Sequence, residues 1–196
     1  KGPSTAHGEG MQTTYIIRGK DATGDMTAQA TETDDSRSFL TDVDVLSNSD
    51  AYTIVAVGDS TTDGIGSTDN HNRRWPDWRA EQLNKNMSVG SVNAGISGNR
   101  LLHDGAEPMI GPRILSRFDR DALSKPGIRS VVLQFGSNDL NANDLLKDPM
   151  QKATADQVIA GLKTLIQRAH DKGVKICGGT FLPQGGVTKY FKHTPT

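Results

Sequence analysis

The chain holds 196 residues, 34% of them hydrophobic, with 22 Lys and Arg against 23 Asp and Glu for a net charge of −1. That is enough for one well-packed core with an appendage, and the balanced charge argues against nucleic acid or an anionic membrane surface as partner. No stretch reaches the length of a membrane span, and the single Cys177 excludes an internal disulfide and any multi-cysteine metal site.

Residues 1–50 stand apart, with four basic residues facing nine acidic ones among many Thr, Ser and Gly. The chain opens at Lys1 without a methionine or a charged-then-apolar leader, as a processed product or a fragment does, which is compatible with a secreted protein. The first dozen residues are expected to be poorly ordered. Tyr15-Ile16-Ile17 is a strand candidate, and Phe39 to Leu46 alternates apolar with polar residues as a half-exposed strand does. Residues 1–50 therefore read as an acidic, partly extended N-terminal extension without a catalytic constellation, and 51–196 as the main domain.

From Ala51 onward strands alternate with helical patterns, which predicts a parallel sheet wound by helices. The first strand, Thr53 to Val57, is β-branched everywhere but Ala56 and stops at Gly58, where the polar run Asp59-Ser60-Thr61-Thr62-Asp63 begins. Alone, Gly-Asp-Ser is also what an ordinary strand-to-helix turn looks like, with Ser60 or Thr61 as N-cap. A loop leads to Pro76, placed to open a helix reaching Asn84. Trp75 and Trp78 are expected to pack this helix on the sheet, and sugar stacking is a second role open to Trp75.

A second strand, Ser91 to Ile96, ends in Ser97-Gly98-Asn99-Arg100, and a helix pattern at Ile114, Leu115, Phe118 and Ala122 closes at Pro126-Gly127. A third strand, Ser130 to Phe135, ends in Gly136-Ser137-Asn138-Asp139. The clearest helix places Val158, Ile159, Leu162, Leu165, Ile166 and Ala169 on one face. Thr154 and Gln157 form a capping box at its start, and Gly173 ends it. Val174 to Phe181 is the fourth strand, in whose apolar run Cys177 is expected to be buried and inert. Leu182 to Thr196 carries turn signals and stays unassigned.

If the strands are parallel, their right-handed crossovers gather the carboxyl ends along one edge of the sheet, where ligands bind in open α/β folds. Each tip then offers a different part. Ser60 supplies a hydroxyl nucleophile, Gly98 allows close approach of a backbone N–H, and Asn138 supplies a carboxamide donor. Acyl transfer needs such a set, because charge develops on the carbonyl oxygen as it becomes tetrahedral and each preset donor is worth about 3–4 kcal/mol.

"VGDSTTDG", "NAGISGNRL" and "QFGSNDL" resemble the first three blocks of the SGNH, or GDSL, hydrolase family, in order and each at a strand end. The resemblance covers about residues 51–185, and "RRWPDW", "RFDRDAL" and "FLTDVDVL" resemble its secreted bacterial and fungal esterase branch. It implies a flavodoxin-like three-layer α/β/α sandwich with a five-stranded parallel sheet. It also implies a serine esterase acting on lipid, aryl or acetylated-carbohydrate esters, with neither metal nor organic cofactor. By the same resemblance Ser60 is the nucleophile, and its N–H joins Gly98 N–H and the Asn138 side chain in the oxyanion hole. Asp59 shapes the turn beside the substrate, Asp139 braces its loop, and Arg74 and Arg100 are candidate pocket residues.

The family's fourth block, Asp-x-x-His, is not found: the residues three before His7, His71, His103, His170 and His193 are Ser4, Thr68, Arg100, Gln167 and Tyr190. A fifth strand and last helix are missing too, so the chain reads as truncated, with a second chain or a C-terminal fragment expected to supply Asp and His. Without a base a serine is a weak nucleophile, and loss of the histidine costs a well-studied serine protease about 10⁶-fold in kcat. His193 follows the fourth strand but has no orienting carboxylate nearby, His71 and His103 read as solvated loop residues, and His170 suits the end of its helix. Two other readings stay open. One is a non-catalytic glycan- or acyl-binding module, favoured by the missing block. The other is a phosphate or flavin cradle, disfavoured because no Gly-x-Gly-x-x-Gly follows the first strand.

Overall fold

The computed structural model describes residues 6–38, 42–47, 50–105, 109–141 and 151–180. Two short antiparallel ladders come first in the chain. β1 (Ala6–His7), β2 (Thr14–Ile16), β3 (Glu32–Asp34) and β4 (Arg37–Ser38) pair as β1 with β4 and β2 with β3. The strand expected at Tyr15 is thus present, shifted by one residue. Two expectations for this region are corrected. Of the first dozen residues, 1–5 lie outside the described residues, and 6–12 are not loose, because they enter the first ladder and hydrogen-bond to the main domain, with Asn70 N–H donating to Met11 O at 3.0 Å. Of the strand expected over Phe39 to Leu46, Phe39 to Thr41 lie outside the described residues, and 42–47 form no ladder. The alternation there has no sheet edge to pair with, so Val43, Val45 and Leu46 are exposed, and Asp42 is held by an ion pair with Lys125 at 2.6 Å.

The main domain follows as β5 (Tyr52–Gly58), α1 (Ser60–Asp63), α2 (Trp75–Leu83), β6 (Val89–Gly95) and α3 (Ile114–Phe118), which runs into a π-helical turn over Asp119–Leu123. Then come β7 (Ile128–Gln134), α4 (Ser137–Leu140), α5 (Ala155–Asp171) and β8 (Lys175–Gly178). The four long strands form one parallel sheet in the order β6-β5-β7-β8. The first crossover goes to one side of β5 and the next two go to the other. Right-handed connections therefore put α2 on one face and α3 with α5 on the opposite face, and α3 does pack against α5.

The apolar periodicities place most of the core. Val55, Val57, Val131 and Leu133 from the sheet meet Ile114, Phe118, Val158, Leu165 and Ala169 from the helices in one buried cluster, each such side chain worth about 1.5–3 kcal/mol on full burial. α5 has the capping box read from Thr154 and Gln157, and Gly173 follows it at φ +68°. Four apolar residues expected on covered faces are exposed, Ile159 and Ile166 at the margins of α5 among them. Cys177 is exposed, on the strand that ends the sheet among the described residues. Trp78 is 45% exposed and lies under the Arg73 guanidinium, 4.3 Å from the ring centre, rather than against the sheet. Among the described residues no helix is long and apolar enough to cross a membrane.

The register decides where the tips sit. β5 aligns Gly58 with Gly95 of β6 and with Gln134 of β7, so the three strands stop together. Near the other end the β5–β7 ladder shifts by one residue, since Thr53 faces Ile128 while Ile54 faces Ser130. Gly58 and Gly95 are needed as glycines. A methyl on Gly95 would overlap the backbone of Thr62 and Asp63, and one on Gly58 would overlap Thr62 and the Gln134 carbonyl.

Candidate active site

The first tip is a tight strand-to-helix turn. Asp59 is extended and caps α1, its Oδ1 accepting Thr61 N–H at 3.2 Å while its carbonyl accepts Thr62 and Asp63 N–H. Ser60 is therefore the first residue of α1 and half-buried, and its N–H has no partner among the described residues. At the second tip Gly98 takes φ +73°, which only glycine adopts without strain. On either side of it, Ser97 N–H donates to Asp63 Oδ2 at 3.1 Å and Asn99 N–H to Ile96 O at 3.1 Å. Gly98 N–H, between them, has no partner among the described residues. The third tip turns at Gly136 and presents Asn138 from α4, with Nδ2 donating to Asn99 O at 3.1 Å. That bond sets the carboxamide against the carbonyl of Asn99, the residue after Gly98, and leaves its second N–H to spare.

Every pair of tips is joined. Ile96 N–H donates to Gly58 O at 3.2 Å, and Ser137 Oγ lies 3.4 Å from Asp59 Oδ2. Asp139, fully buried, accepts Leu101 N–H at 2.8 Å and Leu102 N–H at 3.0 Å, which makes it the brace between second and third tips. Burial pushes the carboxyl groups of Asp59 and Asp139 up from the ordinary range, and the N–H groups they accept pull the other way.

Arg117 lies beneath this edge and is 1% exposed. Its guanidinium donates to Ala94 O at 2.8 Å, Gly58 O at 3.3 Å and Asn99 Oδ1 at 3.0 Å, with Asp121 at 3.1 Å as counter-ion. Asn99 passes the restraint on, its Nδ2 donating to Ile110 O and Pro112 O. One buried cation thus fixes the carbonyl that precedes the Ser60 turn and the residue that follows Gly98. Burial lowers its pKa from the usual guanidinium value, and Asp121 opposes that. Sequence reading left Arg117 without a role, although "RFDRDAL" held the signal: it stands at i+3 from Ile114 and beside Phe118, on the apolar face of its helix.

The other candidates are placed differently. The Arg74 guanidinium is committed to protein partners, donating to both oxygens of Asp77, to Asn72 Oδ1 and to Gly10 O. Arg100, also buried, donates to Gln151 Oε1 at 2.7 Å and to Asp104 O at 2.6 Å. Both arginines shape the loops around the edge. Trp75 is half-buried, its Nε1–H reaching Thr62 Oγ1 at 3.4 Å. His71 and His170 are exposed and His103 is half-buried, while His193 lies outside the described residues. One histidine does face a carboxylate: His7 Nδ1 is 3.0 Å from Asp63 Oδ1. His7 of the N-terminal segment and Asp63 of α1 therefore form a His–Asp pair, which a search for Asp-x-x-His spacing does not find.

A hydroxyl, two unspent backbone N–H groups and a carboxamide on one braced edge can attack a carbonyl carbon and receive its oxygen. Among the described residues no three His, Cys, Asp or Glu gather to hold a metal ion. A groove of about 530 Å³ lies at the other end of the sheet, lined by Tyr52, Val89, Val43, Met87 and Lys125 among others, and brings no such set together.

The profile of the GDSL-like lipase/acylhydrolase family matches residues 56–194. Among solved structures, AlinE4, a SGNH-hydrolase family esterase, is 20% identical with a TM-score of 0.52, over 74% of this chain and 68% of that one. A variant of Axe2, an acetyl xylan esterase from Geobacillus stearothermophilus, is 19% identical with a TM-score of 0.53, over 70% of this chain and 63% of that one. At such identities the likeness bears on the fold, which is the SGNH-hydrolase α/β fold, and the chain spans 63% of a further solved AlinE4 chain. No curated protein sequence matches it.

Proposed function

Because the chain belongs to the GDSL-like lipase/acylhydrolase family, we propose that it is a carboxylic ester hydrolase that works through an acyl-enzyme on Ser60. The observation that carries this is the pairwise bonding of the three tips, which keeps Ser60, Gly98 N–H and the Asn138 carboxamide on one edge. Ser60 Oγ attacks the ester carbonyl carbon and gives its proton to a base. The carbonyl oxygen becomes an oxyanion received by the N–H groups of Ser60 and Gly98 and by Asn138 Nδ2. Collapse breaks the ester C–O bond, the alcohol leaves with a proton, and water releases the acid by the same route. The base and its carboxylate are assigned to chain beyond the present sequence or to a second chain, since no Asp-x-x-His stands in it. Small acyl esters of aryl alcohols, lipids or sugars are the substrate class, Asp59, Arg74 and Arg100 shape the loops around it, and secretion is its proposed setting.

A fluorophosphonate probe applied to the protein together with the segment or chain that supplies its base, followed by peptide mass spectrometry, tests this. Modification of Ser60 with parallel loss of p-nitrophenyl acetate turnover is the expected result. A natively folded protein whose Ser60 does not react overturns it and favours a binding module that keeps the fold without the chemistry.

A further inference from the structure

Asp63 is fully buried and lies one helical turn beyond Ser60 on α1. Its two oxygens take different partners: Oδ2 accepts the N–H of Ser97, the residue before Gly98, and Oδ1 meets His7 Nδ1. One carboxylate thus joins the helix that carries the serine, the second tip, and an imidazole 56 residues upstream.

The segment that carries His7 is held down along its length. Gly10 O accepts from Arg74 Nη1 at 3.2 Å, Met11 O from Asn70 N–H at 3.0 Å, and Asn70 Oδ1 from Thr13 N–H at 2.8 Å. On the other side Gly8 is so close to Met109 that a methyl there would lie 3.0 Å from its Cε, and the next residue, Ile110, packs beside Gly98. His7 therefore stands at the rim of the edge that holds Ser60 and Gly98, with its side chain 20% exposed.

In the neutral imidazole a buried carboxylate facing Nδ1 favours the tautomer with its proton on that nitrogen, which leaves the lone pair on Nε2. Nε2 has no partner among the described residues. An oriented acceptor at the rim of an ester site suits a hydroxyl donor. We propose that His7 is a substrate-contacting residue whose Nε2 accepts a hydrogen bond from a hydroxyl on the alcohol part of the ester, so that the N-terminal segment selects polyol esters over plain aryl esters. This rests on the reading of Ser60 as nucleophile.

The test compares the protein, in the presence of the segment or chain that supplies its base, with His7→Asn, whose amide N–H can keep the bond to Asp63 while Nε2 is lost, and with His7→Ala, which loses both. Each protein is assayed on glucose monoacetate and on phenyl acetate, with fluorophosphonate labelling of Ser60 and thermal unfolding in parallel. In His7→Asn the ratio of kcat/KM for glucose monoacetate to that for phenyl acetate falls about 5- to 10-fold, mainly through KM, as one hydrogen bond warrants. Ser60 remains labelled. An unchanged ratio with Ser60 labelled overturns the inference and leaves His7 as a tether. Equal losses on both esters with labelling abolished also overturn it, and point to His7 acting on the serine itself. If Ser60 of the unaltered, folded protein is not labelled, the hydrolase reading has failed, a result that the variants cannot mimic.

Discussion

The two ends of the one parallel sheet make opposite use of their residues. At the amino end a groove of about 530 Å³ opens between β5, β6 and the 42–47 segment, and its lining mixes aliphatic side chains with Tyr52, Asn84, Asp44 and the Lys125–Asp42 pair, its polar groups lying toward solvent rather than in the core. At the carboxyl end buried polar groups crowd together: Asp59, Asp63, Asn99, Arg117 and Asp139 are all buried and all bonded. Burying polar groups is costly unless every one is partnered. A fold that does so at one end only has fixed its backbone there, and the fixed backbone leaves two amides and a hydroxyl unspent. Converging unspent donors mark this site better than concavity does.

That contrast can be broken by substitution. Ser60→Ala is expected to lower kcat by about 10⁴- to 10⁶-fold without moving the unfolding midpoint, because Ser60 Oγ makes no bond among the described residues; steady-state assay with urea unfolding checks both. Arg117→Met leaves Gly58 O, Ala94 O and Asn99 Oδ1 without their donor and should cost about 3–5 kcal/mol of stability, the range for breaking a buried charged group. The same variant should lose kcat at temperatures where it stays folded. Asn138→Ala should cost about 10²- to 10³-fold in kcat with a small change in KM, a split that measurement over a substrate series will show.

Asp139 sharpens the comparison through pH. Burial raises its pKa above the unfolded value, so its full contribution is present below the unfolded carboxylate range and is lost as pH rises through the raised folded value. In Asp139→Asn one of the two N–H groups now meets an amide NH₂, at a cost of about 1–3 kcal/mol. The stability gap between the two proteins should be widest in acid and narrow toward neutral pH, as paired urea titrations at several pH values will report. At the amino end Lys125→Ala removes a partly exposed ion pair, and should cost about 1 kcal/mol or less while leaving activity as it was. A large loss of activity there would undo the distinction between the two ends.

The strands, their parallel order and the glycine-marked tips were legible because they rest on local signals: β-branched runs, 3.6-residue periodicity, capping residues and glycines at positive φ. The three joined tips follow from topology once the strands are parallel. What was illegible depends on tertiary neighbours. Trp78 and Cys177 are apolar, but hydrophobicity does not say which helix or strand face is covered. Arg74 and Arg100 were legible as cations beside the site, and their commitment to Asp77 and Gln151 was not. The His7–Asp63 contact has no sequence signal, since it joins a two-residue ladder to a helix 56 positions away with no periodicity to predict it.

The one-residue shift in the β5–β7 ladder near Thr53 acts as a spacer for chemistry at the far end. Arg129 is the residue taken up there, its guanidinium 4.9 Å from the Tyr52 ring centre. Deleting it would force a choice on β7. Either the ladder straightens and the far end stays in place, or the strand slides, Val131 and Leu133 exchange faces with Ser130, Val132 and Gln134, and the Asn138 amide retreats by about 3.3 Å. A preorganised site tolerates roughly 0.5 Å, so a length change at the quiet end of the sheet would be felt as lost turnover at the reactive one.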